Sequence, residues 1–158
     1  YGRLQSIART ADTNSYSGLQ RLVSDTCLAM LRSNKDWLAA RTKSETAGVF
    51  SNDVESGYNR LVVQERAKWE VEQNALTRTS AGQPTYFVAT LVVLLRSGSK
   101  LPDITGVGDL RDAISQLAGD VTVEDNLIAA EVLWTPEDDN DTMDREDMFM
   151  NFPELVSV

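Results

Sequence analysis

Two glutamates, Glu65 and Glu72, stand one heptad apart in a stretch whose apolar residues recur at helical spacing, so they fall on or beside one face with Tyr58, Leu61 and Trp69. Paired carboxylates in an apolar setting can serve as general acid and base. The favoured reading is plainer: both line the rim of the stripe and pair with Arg66, Lys68 or solvent. The densest charge in the chain is the run Glu137, Asp138, Asp139, Asp141 and Asp144, continued by Glu146 and Asp147. Oxygen-rich clusters bind hard cations such as Ca2+. This one fails the EF-hand pattern, which needs a glycine at its sixth position, because no glycine lies between Pro136 and Val158. A solvated turn leading into a helix start, or an acidic patch facing a protein, accounts for it better than a metal site. Gly106, Gly108 and Asp109 form a GxG ahead of a helix, the position of phosphate-binding loops, but the third glycine is missing and no strand ends just before it. An ordinary helix start is expected there. Trp37 and Trp134 are read as packing residues.

What is absent excludes more than these clusters propose. The chain has no histidine, which removes Ser-His and Cys-His nucleophile pairs, a histidine general base and histidine-ligated zinc or haem. Its one cysteine, Cys27, allows neither an intramolecular disulfide nor a CxxC pair, and lies in an apolar stripe that assigns it to a core. No catalytic residue, cofactor or metal is therefore assigned. The net charge of −9 is unevenly placed, at +4 over residues 1–100 and −13 over residues 101–158. A strongly acidic last third repels a polyanion, so nucleic acid is excluded as a partner, and a basic protein surface or a cation suits that end.

The elements that must carry these residues follow from periodicity. At 158 residues, 42% hydrophobic and 25% charged, one domain with its own core is expected. Leu4, Ile7, Ala8 and Ala11 form one helical stripe, read as the end of a helix whose start is missing. Ser17 and Gln20 match a capping box that opens a helix to about Arg32, with Leu19, Leu22, Val23, Cys27, Met30 and Leu31 inward. Trp37 to Lys43 is a weak edge strand. Ser51 or Asn52 caps the longest helix, which runs to about Leu76. Tyr86 to Leu95, YFVATLVVLL, is the central strand, apolar enough to be buried on both faces and, at about ten residues, too short for the roughly twenty that a bilayer span requires. A further helix begins at Thr105 to Asp109 and stops at Gly119 in a left-handed turn. Leu127 to Thr135 is the last strand, ended by Pro136. Thr142 caps a short helix from which Met148, Phe149, Phe152 and Leu155 dock on the core. The fold class is α+β: a small mixed sheet of two strong strands and one weak edge strand, packed with about five helices as a single-domain sandwich.

Five segments carry a resemblance: ADTNSYSGL from Ala11, LAMLRSNKDW from Leu28, VQERAKW from Val63, KLPDITGVGDLRDAISQL from Lys100 and AAEVLWTPEDDNDTM from Ala129. In these, over nearly its whole length, the chain resembles an uncharacterised domain family of cyanobacteria and plastids that includes the thylakoid fluctuating-light acclimation protein. Tyr16 stands where the family has a proline, and the loop Thr77 to Pro84 is shorter than in plant members. The resemblance implies an N-terminally truncated soluble domain whose upstream targeting, Gly-rich and membrane segments are absent. It also implies a protein of the plastid thylakoid or envelope membrane, or of the cyanobacterial thylakoid, connected with light acclimation and without assigned enzymatic activity. The expected partner is a protein complex of the photosynthetic membrane, met through Glu137, Asp138, Asp139, Asp141 and Asp144. Two alternatives stay open: an enzyme using Glu65, Glu72 or Glu131, and a cation-responsive module built on the acidic run.

Overall fold

The computed structural model of the protein describes residues 2–46, 53–75, 86–136 and 142–158, the side chains of 53 and 69–75 excepted. Its elements in order are α1 (Gly2–Thr10), α2 (Tyr16–Arg32), a 3-10 turn (Asn34–Asp36), β1 (Ala39–Ala40), α3 (Asp53–Ala75), β2 (Val88–Leu95), α4 (Val107–Thr122), β3 (Leu127–Thr135), α5 (Arg145–Asn151) and β4 (Val156–Ser157). The class is α+β, as the periodicity predicts. The strands form two separate two-stranded sheets, β1 with β4 and β2 with β3. The weak strand thus does not join the two strong ones: only Ala39 and Ala40 are extended enough to pair, and their partner is the end of the chain, antiparallel with Ala39 opposite Ser157 and Ala40 opposite Val156.

The chain divides into two compact units: Tyr1–Val49 with Val93–Ala130 and Val156–Val158, and Phe50–Val92 with Glu131–Leu155. In the first unit α2 packs on α4 and α1 on α2. From α2, Leu22, Val23, Thr26, Cys27 and Ala29 are buried, and from α4, Leu110, Ala113, Ile114 and Val121. Each set recurs at helical spacing, so each helix turns one stripe inward. Buried Thr26 satisfies its hydroxyl on the carbonyl of Leu22, 2.7 Å away. The Gln20 amide donates to the Val121 carbonyl at 2.8 Å, tying the start of α2 to the end of α4.

The cap of α2 is Ser15, not Ser17: its hydroxyl accepts from the Gly18 amide at 3.1 Å. The preceding turn decides this. Asp12 accepts from the Asn14 amide and the Ser15 hydroxyl, at 3.0 and 2.6 Å, which folds its backbone over Gly18. A Cβ at Gly18 would lie 1.9 Å from the Asp12 carbonyl oxygen, so only glycine fits. α4 also ends differently from the expectation. Gly119 lies inside the helix, and the positive φ of 55° belongs to Asp125.

The reason is Asn126, which is only 4% exposed yet uses its whole hydrogen-bonding capacity. Its amide donates to the carbonyls of Ser97 and Asp120, at 2.9 and 2.8 Å. Its carbonyl oxygen accepts from the Ser97 amide and hydroxyl at 2.9 and 3.1 Å. The end of α4, the exit from β2 and the entry to β3 are fastened to one side chain.

In the second unit α3 is tied to Glu131 in β3 and to Glu154 after α5, by the ion pairs described below. The Tyr86 amide donates to the Met143 carbonyl at 2.8 Å. Met143, Met148, Phe152 and Thr135 are buried. α5 is capped by Asp144, not Thr142: Asp144 accepts from the Asp147 amide at 2.8 Å, and the Asp147 carboxylate in turn accepts from the Asp144 amide at 3.3 Å. Acidic side chains in the first turn also suit the helix dipole. β2 corrects the expectation of burial on both faces: of its residues only Val92 is buried and the others are half-exposed. Branched apolar residues fit a pleated, half-buried surface as well as a covered one. Ser51 and Asn52, expected to cap α3, lie outside the described residues.

Replacing Asn126 by alanine strands two carbonyls and an amide that it now satisfies, and should cost about 3 kcal/mol. Urea unfolding of Asn126→Ala against the unaltered protein measures it; a loss below about 1 kcal/mol would mean that water replaces the side chain.

Candidate functional site

The described charged chemistry concentrates on α3. Glu65 and Lys68 are three residues apart on one face, and the Lys68 ammonium donates to both Glu65 oxygens, at 2.9 and 3.1 Å. The same ammonium reaches Glu154, beyond α5, and lies 5.9 Å from the centre of the Phe152 ring. Burial opposes the charge on Lys68, but the hydrogen bonds it donates to Glu154 and Glu65 outweigh that and raise its pKa. One residue along, Arg66 donates through Nε, at 3.1 Å, and through Nη2 to a single oxygen of Glu131 in β3. Tyr58, two turns earlier, has its phenol pushed up by burial and then by the negative charge of Glu131, with Arg66 acting the other way. Two ion-paired clusters therefore stand on α3, one joined to β3 and one to the segment after α5.

Of the carboxylates considered as acid and base, Glu65 pairs with Lys68 and Glu131 with Arg66, each with a cation of its own unit. The Glu72 side chain lies outside the described set. Of the acidic run, Glu137, Asp138, Asp139 and Asp141 also lie outside the described residues, and Asp144 spends its carboxylate on the α5 cap. Among the described residues no group of three acidic or cysteine side chains is arranged to hold a metal ion. No helix among them is long and apolar enough to cross a membrane.

The GxG helix start is filled from within. Asp109 accepts from the amide of Thr105, at 2.8 Å, and from its hydroxyl. These bonds, led by the Thr105 hydroxyl, hold the Asp109 carboxyl below its usual range. An anion at this helix start would meet a carboxylate. Cys27 is 1% exposed and burial pushes its thiol up to about 11, leaving it protonated and inert at neutral pH.

Sequence reasoning missed Glu154 and Phe152 as partners of Lys68, and Glu131 as partner of Arg66. All three are more than sixty positions away from the cation, beyond the reach of helical periodicity. The nearest signal was the apolar spacing around Phe152, which pointed to docking but not to what it docks on.

A family model described as a protein of unknown function, DUF1517, matches residues 1–158. The chain is 27% identical to Protein FLAP1 homolog A of Synechocystis over 174 aligned positions, which cover 98% of the chain and 51% of that relative. It is 28% identical to the chloroplastic FLUCTUATING-LIGHT-ACCLIMATION protein 1 of Arabidopsis thaliana over 160 positions, 94% of the chain and 40% of that protein. The chain thus spans about half of the one and two fifths of the other. No solved structure matches it.

The Asp109 arrangement has a pH signature. A carboxyl whose folded pKa is lowered contributes stability that is complete above its unfolded pKa and is lost as pH falls through the folded one. Asp109→Asn should therefore unfold earlier than the unaltered protein at neutral pH, with the gap closing in acid. Thermal melts across that range check it; a gap independent of pH would assign the loss to something other than the ionised carboxylate.

Proposed function

The chain belongs to the DUF1517 family, and from that membership we propose that it is a non-enzymatic accessory domain of a photosynthetic membrane complex, acting in light acclimation by binding protein. The names of the Synechocystis and Arabidopsis relatives support the acclimation role and a plastid or cyanobacterial setting. The thylakoid or envelope membrane is the site proposed for that binding.

One observation carries the binding mode. The two compact units divide the charge unequally: the first holds 10 basic and 10 acidic residues, the second 5 and 14, so all of the net −9 belongs to the second. Neither its length nor its role in a core demands this. A unit so charged attracts basic surfaces, hastens encounter with them and repels polyanions. Glu137, Asp138, Asp139 and Asp141, with Asp144 at the α5 cap, are the proposed docking residues. The enzyme reading is disfavoured because Glu65 and Glu131 are each engaged by a cation, and Glu65 and Glu154, which converge, do so on the Lys68 ammonium.

Neutralising Glu137, Asp138, Asp139 and Asp141 to their amides, with Asp144 kept for its cap, tests the mode. Retention of the protein by solubilised photosynthetic membranes should fall severalfold and lose its dependence on salt. Unchanged, salt-insensitive retention would remove the acidic run from the interface. A thermal melt with Ca2+ separates the cation-responsive alternative, since a specific site at 100 times its dissociation constant adds about 2.7 kcal/mol.

A further inference from the structure

The Lys68 cluster has the make-up of a receptor for a cation, already filled by a cation of the same chain. Two carboxylates and an aromatic face surround the ammonium: Glu65 from α3, Glu154 and Phe152 from the segment that follows α5. Carboxylates on two sides with a ring on a third recognise lysine, arginine and alkylammonium groups, through charge-assisted hydrogen bonds and the ring's negative face. We propose that Glu65, Glu154 and Phe152 form a binding box for a lysine or arginine side chain of a partner protein, and that Lys68 is its exchangeable internal plug. The inference rests on the reading of the second unit as a docking module and adds the contact that a basic partner would make there.

Three features make the plug exchangeable. Lys68 ends a flexible four-carbon stem, so its ammonium can leave by rotamer changes alone. Glu65 is on the same helix, three residues away, and stays in place when the lysine swings out. The box also reaches solvent: the side chains of Lys68, Glu65 and Glu154 are 26%, 23% and 22% exposed, low enough to strengthen the interaction and high enough to admit a competitor. The Phe152 ring is anchored independently, being 5% exposed with its amide bonded to the Met148 carbonyl at 2.9 Å. Withdrawal of the lysine therefore does not require the aromatic wall to move. The plug occupies the box when no partner is present, and sets a threshold that a weakly basic surface does not pass.

The test is an NMR titration of the full chain with n-butylguanidinium. Removing the competing ammonium by Lys68→Met should tighten binding of this probe about fivefold, the order expected for loss of a half-exposed ion pair. Shifts should be confined to Glu65, Phe152, Glu154 and their neighbours, and Lys68→Met combined with Glu154→Gln should lose the gain. Equal affinity for the unaltered protein and Lys68→Met, or shifts scattered over other acidic residues, would overturn the proposal. Should Lys68→Met fail to fold, the unaltered protein decides: the probe should release the Lys68 Nζ protons to faster exchange with water, and unchanged exchange at saturation would contradict the plug. A protein that passes the titration but is not retained by photosynthetic membranes keeps the box and loses the docking function. The reverse pair of results keeps the docking function and removes the box.

Discussion

Asn126 is the constraint on which the first unit depends. A buried asparagine amide is expensive unless each of its four hydrogen-bonding positions is met, and here Ser97 and Asp120 meet all four. The requirement is reciprocal. The Ser97 amide and carbonyl at the exit of β2 and the Asp120 carbonyl near the end of α4 all bond to this one side chain. Its own backbone joins the arrangement, with the Arg96 amide donating to its carbonyl at 2.9 Å. The positive φ of Asp125 fits the same tight turn, aspartate being among the few residues that tolerate it. With the end of α4 fixed, its apolar stripe meets that of α2, and the core of the unit follows.

The second unit is held in another way. Among its described residues Met143, Met148 and Phe152 are buried, and two of its ion pairs, Arg66 with Glu131 and Lys68 with Glu154, join distant parts of the chain. Half-exposed ion pairs contribute little to stability, commonly 1 kcal/mol or less. Their interest lies in placement, because they fix which carboxylates are engaged and leave the remaining acidic residues to shape the unit's field. The first unit is thus neutral and fastened by a buried amide, and the second acidic and tied by ion pairs.

Local periodicity made the elements legible and left their relations hidden. β3 runs from Leu127 to Thr135 as its composition predicts, and α3 is a long helix from Asp53 to Ala75. Both rest on patterns confined to a single segment. The caps were harder, because S-x-x-Q at Ser17 competes with the Ser15 hydroxyl, and only the Asp12 turn over Gly18 decides between them. Gly119 reads as a stop by its type, yet a helix ends where its last carbonyls find partners, here through Asn126. β4 is two residues long and carries no pattern of its own. At the candidate site, Glu65 with Lys68 was legible as a neighbouring pair, whereas Glu131 and Glu154 come from strand and tail positions that no local rule connects to α3. The acidic run was legible as charge, and its assignment to an acidic unit needed the fold.

The most direct measurement is zero-length carbodiimide cross-linking, which joins carboxylates to amines, in gently solubilised photosynthetic membranes, followed by mass spectrometry. The account predicts one partner complex in stoichiometric yield, joined through its lysines to carboxylates of Glu137–Asp147 and Glu154. Links confined to acidic residues of the first unit, or recovery of the protein with no partner under both steady and fluctuating light, would contradict it.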